Sequence, residues 1–169
     1  PRYMASSAKS AVVNMRYGFT LIELIVTVGL IAFLLTFSSL NFISTQRKTT
    51  LQDQVLLLST DIRGQQLKAM SSDTGGSGTV SNYGIYFQNQ TYTLFRGDTY
   101  SAIDPENYVV TLPETTIIVD VLFPNSQIVF QKGSGEILNF NNTQNTFSLT
   151  DSQLGESHLY TLNALGVIQ

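Results

Sequence analysis

Between residues 19 and 40 the sequence FTLIELIVTVGLIAFLLTFSSL is apolar on every helical face, with Glu23 its one charge. About 20 such residues make a helix long enough to span a bilayer. No proline interrupts the run, and its one poor helix former, Gly29, is of a kind that membrane helices tolerate. Past residue 40 the pattern turns amphipathic. Leu51, Val55, Leu58, Ile62 and Ala69 recur at helical spacing, with Gln65 or Gln66 in the gap. Asp53, Asp61, Arg63 and Lys68 fall on other faces. The pattern predicts one continuous helix over residues 19–70. Gly64 lies inside it, where a glycine costs about 1 kcal/mol. Close packing against a sheet is the expected reason for it.

Serines and glycines at 71–78 (SSDTGGSG) end the helix, and the pattern then changes to strands. Segments 83–87 and 91–95 flank a short polar turn, 88–90, and read as a hairpin. Further strands are expected at 108–112, 115–122, 127–130, 136–140, 145–150 and 157–163, with a last short one at 166–169. Pro105, Pro113, Pro124, Gly133 and Gly135 punctuate them. One long helix followed by a run of strands is an α+β arrangement, with the distal half of the helix packed on an antiparallel β-sheet.

Charge changes this picture in one respect. Charged residues make up only 12% of the chain, and they are unevenly placed. Residues 1–70 hold seven Lys/Arg against three Asp/Glu, a balance of +4. Residues 71–169 hold two, Arg96 and Lys132, against nine, a balance of −7. An acidic distal domain is a poor match for nucleic acid, whose affinity comes mainly from Lys and Arg on phosphates, so no nucleic-acid partner is expected. Arg2, Lys9 and Arg16 precede the apolar run without an acid among them. That bias keeps the N-terminus cytoplasmic and places the C-terminal domain outside. A secretory signal peptide fits less well: the apolar run is too long for one, and it continues into more helix without a small-residue cleavage site. The sequence opens on Pro1, which puts the start upstream or at Met4 or Met15.

Several chemistries are disfavoured. There is no cysteine, which removes disulfides, thiolate zinc sites and thiol nucleophiles. His158 is the only histidine and falls in an expected strand. No nucleotide-binding, serine-hydrolase or zinc-protease signature is present, and the glycines at 75–78 lack the Lys-Ser/Thr of a phosphate loop. Neither catalysis nor a cofactor is expected. Asp98, Asp104 and Glu106, beside Asn107, are weak candidates for a Ca²⁺ site. Their spacing fits no EF-hand, and a solvated loop is the preferred reading.

Glu23 is the anomaly. A carboxylate in an apolar helix at a membrane edge is costly unless paired, and such residues are functional candidates by default. It stands five residues past Gly18 in GFTLIELI. This stretch resembles the prepilin N-terminal cleavage and methylation signal of type IV pilins and type II secretion pseudopilins. The resemblance covers residues 18–40. It implies that a prepilin peptidase cuts after Gly18 on the cytoplasmic side and methylates Phe19. It also implies that Glu23 pairs with the positive N-terminus of a neighbouring subunit during assembly.

The domains implied are a leader at 1–18, a transmembrane and filament-core helix at 19–40, its amphipathic continuation at 41–70, and an exported β-rich domain at 71–169. The implied function is that of a structural subunit, a minor pilin or pseudopilin of a pilus-like or secretion filament. Its partners would be the peptidase, other subunits and the inner membrane. LQDQVLLLSTDIRGQQLKAM, YGIYFQNQTYTLFRGD and LYTLNALGVIQ further resemble the H-type pseudopilin and FimT-like minor pilin group. Two features of many major pilins are missing, the helix-kinking proline and the cysteine pair. A DNA-uptake pilin is one alternative, but it would need a basic distal patch, and the tail GESHLYTLNALGVIQ has no Lys or Arg. A single-pass anchor for an unrelated β-domain is another, and it would require neither Gly18 nor Glu23.

Overall fold

The computed structural model describes residues 18–169, apart from the side chains of residues 37–49. Arg2, Lys9, Arg16 and the rest of the expected leader up to residue 17 lie outside the described residues. Helix α1 runs Leu21–Met70. The chain divides into two compact units, Pro1–Phe42 and Ile43–Gln169.

In the first unit every described side chain from residue 18 to residue 36 is exposed. The second unit holds the rest of α1 and seven strands: β1 Tyr83–Phe87, β2 Thr91–Arg96, β3 Tyr108–Thr111, β4 Thr116–Val119, β5 Gln127–Phe130, β6 Thr146–Asp151 and β7 Ser157–Thr161. The fold is α+β, and an N-terminal helix followed by antiparallel sheets fits the pilin fold. The strands form two sheets rather than the single one expected, in the orders β3-β2-β1-β5 and β4-β6-β7, and every pairing is antiparallel. The split falls at the corner before β4. There the backbone turns past Pro113, and the β1–β2 turn stitches the two sides. Asn89 O accepts from Ile118 N at 2.7 Å, and Gln90 O accepts from Leu112 N at 2.9 Å.

Both sheets close on the helix. Leu51, Leu58, Ile62 and Ala69 are buried, and Val55 packs against the same core. Gln65 occupies the gap in that stripe at 3% exposure. Each sheet is also tied to α1 by a tyrosine hydroxyl. Tyr92 on β2 donates to Asp61 Oδ2 at 2.5 Å, and Tyr160 on β7 donates to Val55 O at 2.8 Å. Phe87 and Phe147, with ring centres 4.5 Å apart, join the sheets directly.

The β1–β2 hairpin pairs Gly84 with Phe95. A Cβ on Gly84 would come within 2.4 Å of the Phe95 ring and 2.7 Å of Ile128 O. The glycine in this strand therefore gives room to the facing ring, a common reason for glycine inside a strand.

Four local expectations are corrected. Residues 136–140 do not form a strand: Ile137 makes only an isolated bridge to Phe130. Gly135 (φ +73°) and Asn139 (φ +55°) bend the backbone out of extended geometry on either side. Residues 166–169 likewise contribute a single bridge, Ile168 to Leu162. The strand expected at 115–122 stops at Val119, because Asp120 turns into the left-handed region at φ +53°. Gly64 is not closely packed, since a Cβ there would meet nothing within 4 Å.

Candidate functional site

The segment expected to be processed begins outside any helix. Residues 18–20 are non-helical and α1 begins at Leu21. Thr20 caps that start: its Oγ1 accepts from Glu23 N at 3.3 Å, and its carbonyl accepts from Leu24 N at 3.1 Å. Thr20 and Glu23 thus stand at the two positions of a capping box, Ser/Thr-x-x-Glu, of which the half given by the Thr20 side chain to the Glu23 N–H is formed. The signal T-x-x-E is plain in the sequence, and it puts Glu23 at a helix-start position that hydropathy alone did not suggest.

Gly18 and Phe19 lie immediately before this cap. Phe19 is 82% exposed, and Gly18 is exposed beside it. The glutamate carboxylate makes no ion pair or hydrogen bond within the chain among the described residues. The apolar residues that follow are uncovered all round, as at Ile22, Ile25, Leu30 and Leu34. Their helix satisfies its own hydroxyls: Thr27 Oγ1 donates to Glu23 O at 2.8 Å, and Thr36 Oγ1 donates to Ala32 O at 2.9 Å. Polar groups closed off in this way suit an environment without water. Among the described residues no helix is long and apolar enough to cross a membrane. The side chains of residues 37–40, the end of the expected span, fall outside the described residues.

The three carboxylates proposed for Ca²⁺ are not brought together. Asp98 accepts from Asn82 Nδ2 at 2.7 Å, Asp104 accepts from Glu106 N at 2.9 Å, and Glu106 pairs with Arg96 at 3.4 Å. Among the described residues no group of three acidic or histidine side chains is placed to hold a metal ion. His158 is exposed on β7, its ring edge-on to Tyr160 at 4.9 Å.

Three surface cavities of the second unit stand out among the described residues. One, of about 500 Å³, lies between α1 and the first sheet and is lined by Lys68, Asp73, Tyr83, Arg96 and Tyr108 among others. Burial raises the Tyr83 hydroxyl pKa, with Asp73 and Glu106 pushing the same way and Arg96 opposing. Another, of about 590 Å³, is lined by Leu51, Gln52, Val55, Glu156, Ser157 and His158. The third, of about 150 Å³, is rich in carboxamides. It went unread in the sequence because its walls come from four separate stretches between residues 98 and 144.

Residues 13–39 match a family described as "Prokaryotic N-terminal methylation motif". The match places Gly18, Phe19 and Glu23 inside the motif and supports the type IV pilin and pseudopilin family, a family of structural subunits. No curated protein and no solved structure matches the chain significantly.

Proposed function

We propose that this chain, which carries the N-terminal methylation motif of type IV pilins and pseudopilins, is a filament subunit, a minor pilin or pseudopilin. In this reading a prepilin peptidase removes residues 1–18 and methylates the amine of Phe19. Residues 19–40 first hold the subunit in the inner membrane and then pack in the filament core. Residues 41–70 continue the helix, and residues 71–169 form the exported domain. The aromatic hairpin, with Gly84 beneath Phe95, favours the H-type pseudopilin and FimT-like group.

The observation that carries the reading is the complete exposure of an apolar helix directly after an accessible Gly18. A helix that is apolar all round is stable only when buried, in lipid or among other helices. Each large apolar side chain left in water forgoes about 1.5–3 kcal/mol. Lipid before assembly and neighbouring copies afterwards both remove that cost. Glu23 then serves as a register pin, accepting the charge of a neighbour's Phe19 amine. Specifying register is a well-attested use of buried polar groups.

The test is co-expression with a prepilin peptidase, followed by mass spectrometry of the mature N-terminus. A chain starting at N-methylated Phe19 is expected, and Gly18→Ala should slow or block the cut. An uncut chain, or a start elsewhere, refutes the processing step.

A further inference from the structure

We propose that the smallest of the three cavities binds a neutral saccharide. It has a volume of about 150 Å³, and its lining includes Asp98, Asn125, Asn139, Gln144, Phe123 and Phe140. A cavity of roughly this size accepts a benzene-sized ring. A pyranose with its hydroxyls is larger than benzene, so this cavity, which opens to solvent, would take part of one ring and leave the rest of a glycan outside.

The lining chemistry selects the ligand class. No Lys or Arg lines the cavity, so a phosphate or sulfate would find no counter-charge. Asp98 is the only carboxylate there, and one of its oxygens already accepts from Asn82 at 2.7 Å. A divalent cation, which takes six or more oxygen ligands, is therefore poorly served. What remains is carboxamide. The side chains of Asn125 and Asn139 make no hydrogen bond to the chain among the described residues. Gln144 offers its oxygen to Asn141 Nδ2 at 3.2 Å and keeps its own N–H groups.

A carboxamide presents an acceptor and two donors side by side. Neighbouring sugar hydroxyls, each both donor and acceptor, match that pattern without any charge. Phe123 is buried and Phe140 half-buried, and together they supply an apolar wall for the C–H face of a ring. Apolar walls with a few convergent polar groups are the usual make-up of a small-molecule site.

Asn125 and Asn139 both hold φ +55°. Asparagine tolerates this left-handed geometry better than most residues, so a turn requirement alone would also explain both. The two explanations separate cleanly, because glycine satisfies the turn at least as well and carries no amide.

The experiment uses the full chain in lauryldimethylamine oxide micelles, a detergent without a sugar headgroup. Saturation-transfer NMR is run with the methyl glycosides of glucose, galactose, mannose and N-acetylglucosamine, and with a Gly-Asn-Gly peptide. At least one glycoside should receive saturation. The double variant Asn125→Gly/Asn139→Gly should weaken its binding at least ten-fold while the thermal unfolding midpoint stays or rises. Saturation of no glycoside overturns the proposal, as does equal binding by the double variant. Binding of the peptide alone overturns it in favour of a peptide site.

Discussion

Tyr92 is buried in the core, and its hydroxyl reaches Asp61 on the helix at 2.5 Å. Its pKa is raised well above the usual value of 10.0, first by burial and then by the hydrogen bond to, and the charge of, Asp61. Burial also raises Tyr83 and Tyr160. A phenol whose folded pKa exceeds its unfolded pKa leaves the native state holding more protons. The stability it contributes is full below about pH 10 and is lost as pH rises beyond that. Urea midpoints should therefore be flat from pH 8 to 10 and fall by pH 11. Tyr92→Phe should lower stability by about 1.5–3 kcal/mol at pH 8, as expected for a hydrogen bond to a charged group, and make the alkaline fall shallower. An unchanged pH profile in that variant would remove Tyr92 from the account. This contact was not legible in the sequence. Helical spacing put Asp61 on a polar face, and nothing local indicates a partner 31 residues away. The same spacing left Gln65 and Gln66 interchangeable. The structure buries Gln65 and sends the Gln66 amide to Gly135 O at 3.0 Å and Leu165 O at 2.6 Å.

At the scale of elements, the parts read correctly were those whose signal is local. The helix, its buried stripe and the β1–β2 hairpin follow from periodicity and a short polar turn. Residues 136–140 were misread because their apolar pattern does not reveal the left-handed backbone at Gly135 and Asn139, which leaves Ile137 N donating to Ala164 O at 2.9 Å and Leu138 N to Val129 O at 2.8 Å without a continuous ladder. Two glycines show opposite consequences of the same change. Gly64 pays the helical cost with no neighbour to justify it. Gly64→Ala should therefore raise stability by about 1 kcal/mol. Gly166 closes the C-terminal turn at φ +73°, where a Cβ would meet Gln66 Nε2 at 2.7 Å and a Phe130 ring carbon at 2.8 Å. Gly166→Ala adds backbone strain to overpacking and should cost about 2–4 kcal/mol, loosening the bridge between Leu162 and Ile168. Thermal unfolding of the two variants beside the parent chain checks both signs. A destabilising Gly64→Ala would mean that an unseen neighbour packs on that face.

For the whole molecule, the methylation motif was legible because it is linear, matched within residues 13–39, whereas the carboxamide cavity exists only after folding. The assembly role proposed for Glu23 is the point on which the filament reading depends. Two physical roles now compete for this residue. Its side chain stands at N3, from which a carboxylate can reach back to the Thr20 N–H, although only the Thr20 half of that capping box is formed here, and we propose that it accepts the charge of a neighbouring subunit's Phe19 amine. Alanine removes both roles at once, so a defect in Glu23→Ala alone cannot apportion them. Glutamine separates them, since Gln serves at N3 of a capping box as Glu does but carries no charge. Loss of a cap costs about 0.5–2 kcal/mol. Stranding one partner of a buried charge pair costs about 3–5 kcal/mol. If charge pairing governs assembly, Glu23→Gln and Glu23→Ala should both reduce incorporation into sheared filaments at least ten-fold, with the membrane pool at the parent level. Glu23→Asp, which keeps the charge on a shorter arm, should retain more incorporation than either. If capping governs, Glu23→Gln should assemble like the parent and only Glu23→Ala should fail. Parent-level incorporation of all three variants would remove Glu23 from assembly and leave recognition by the peptidase as its role.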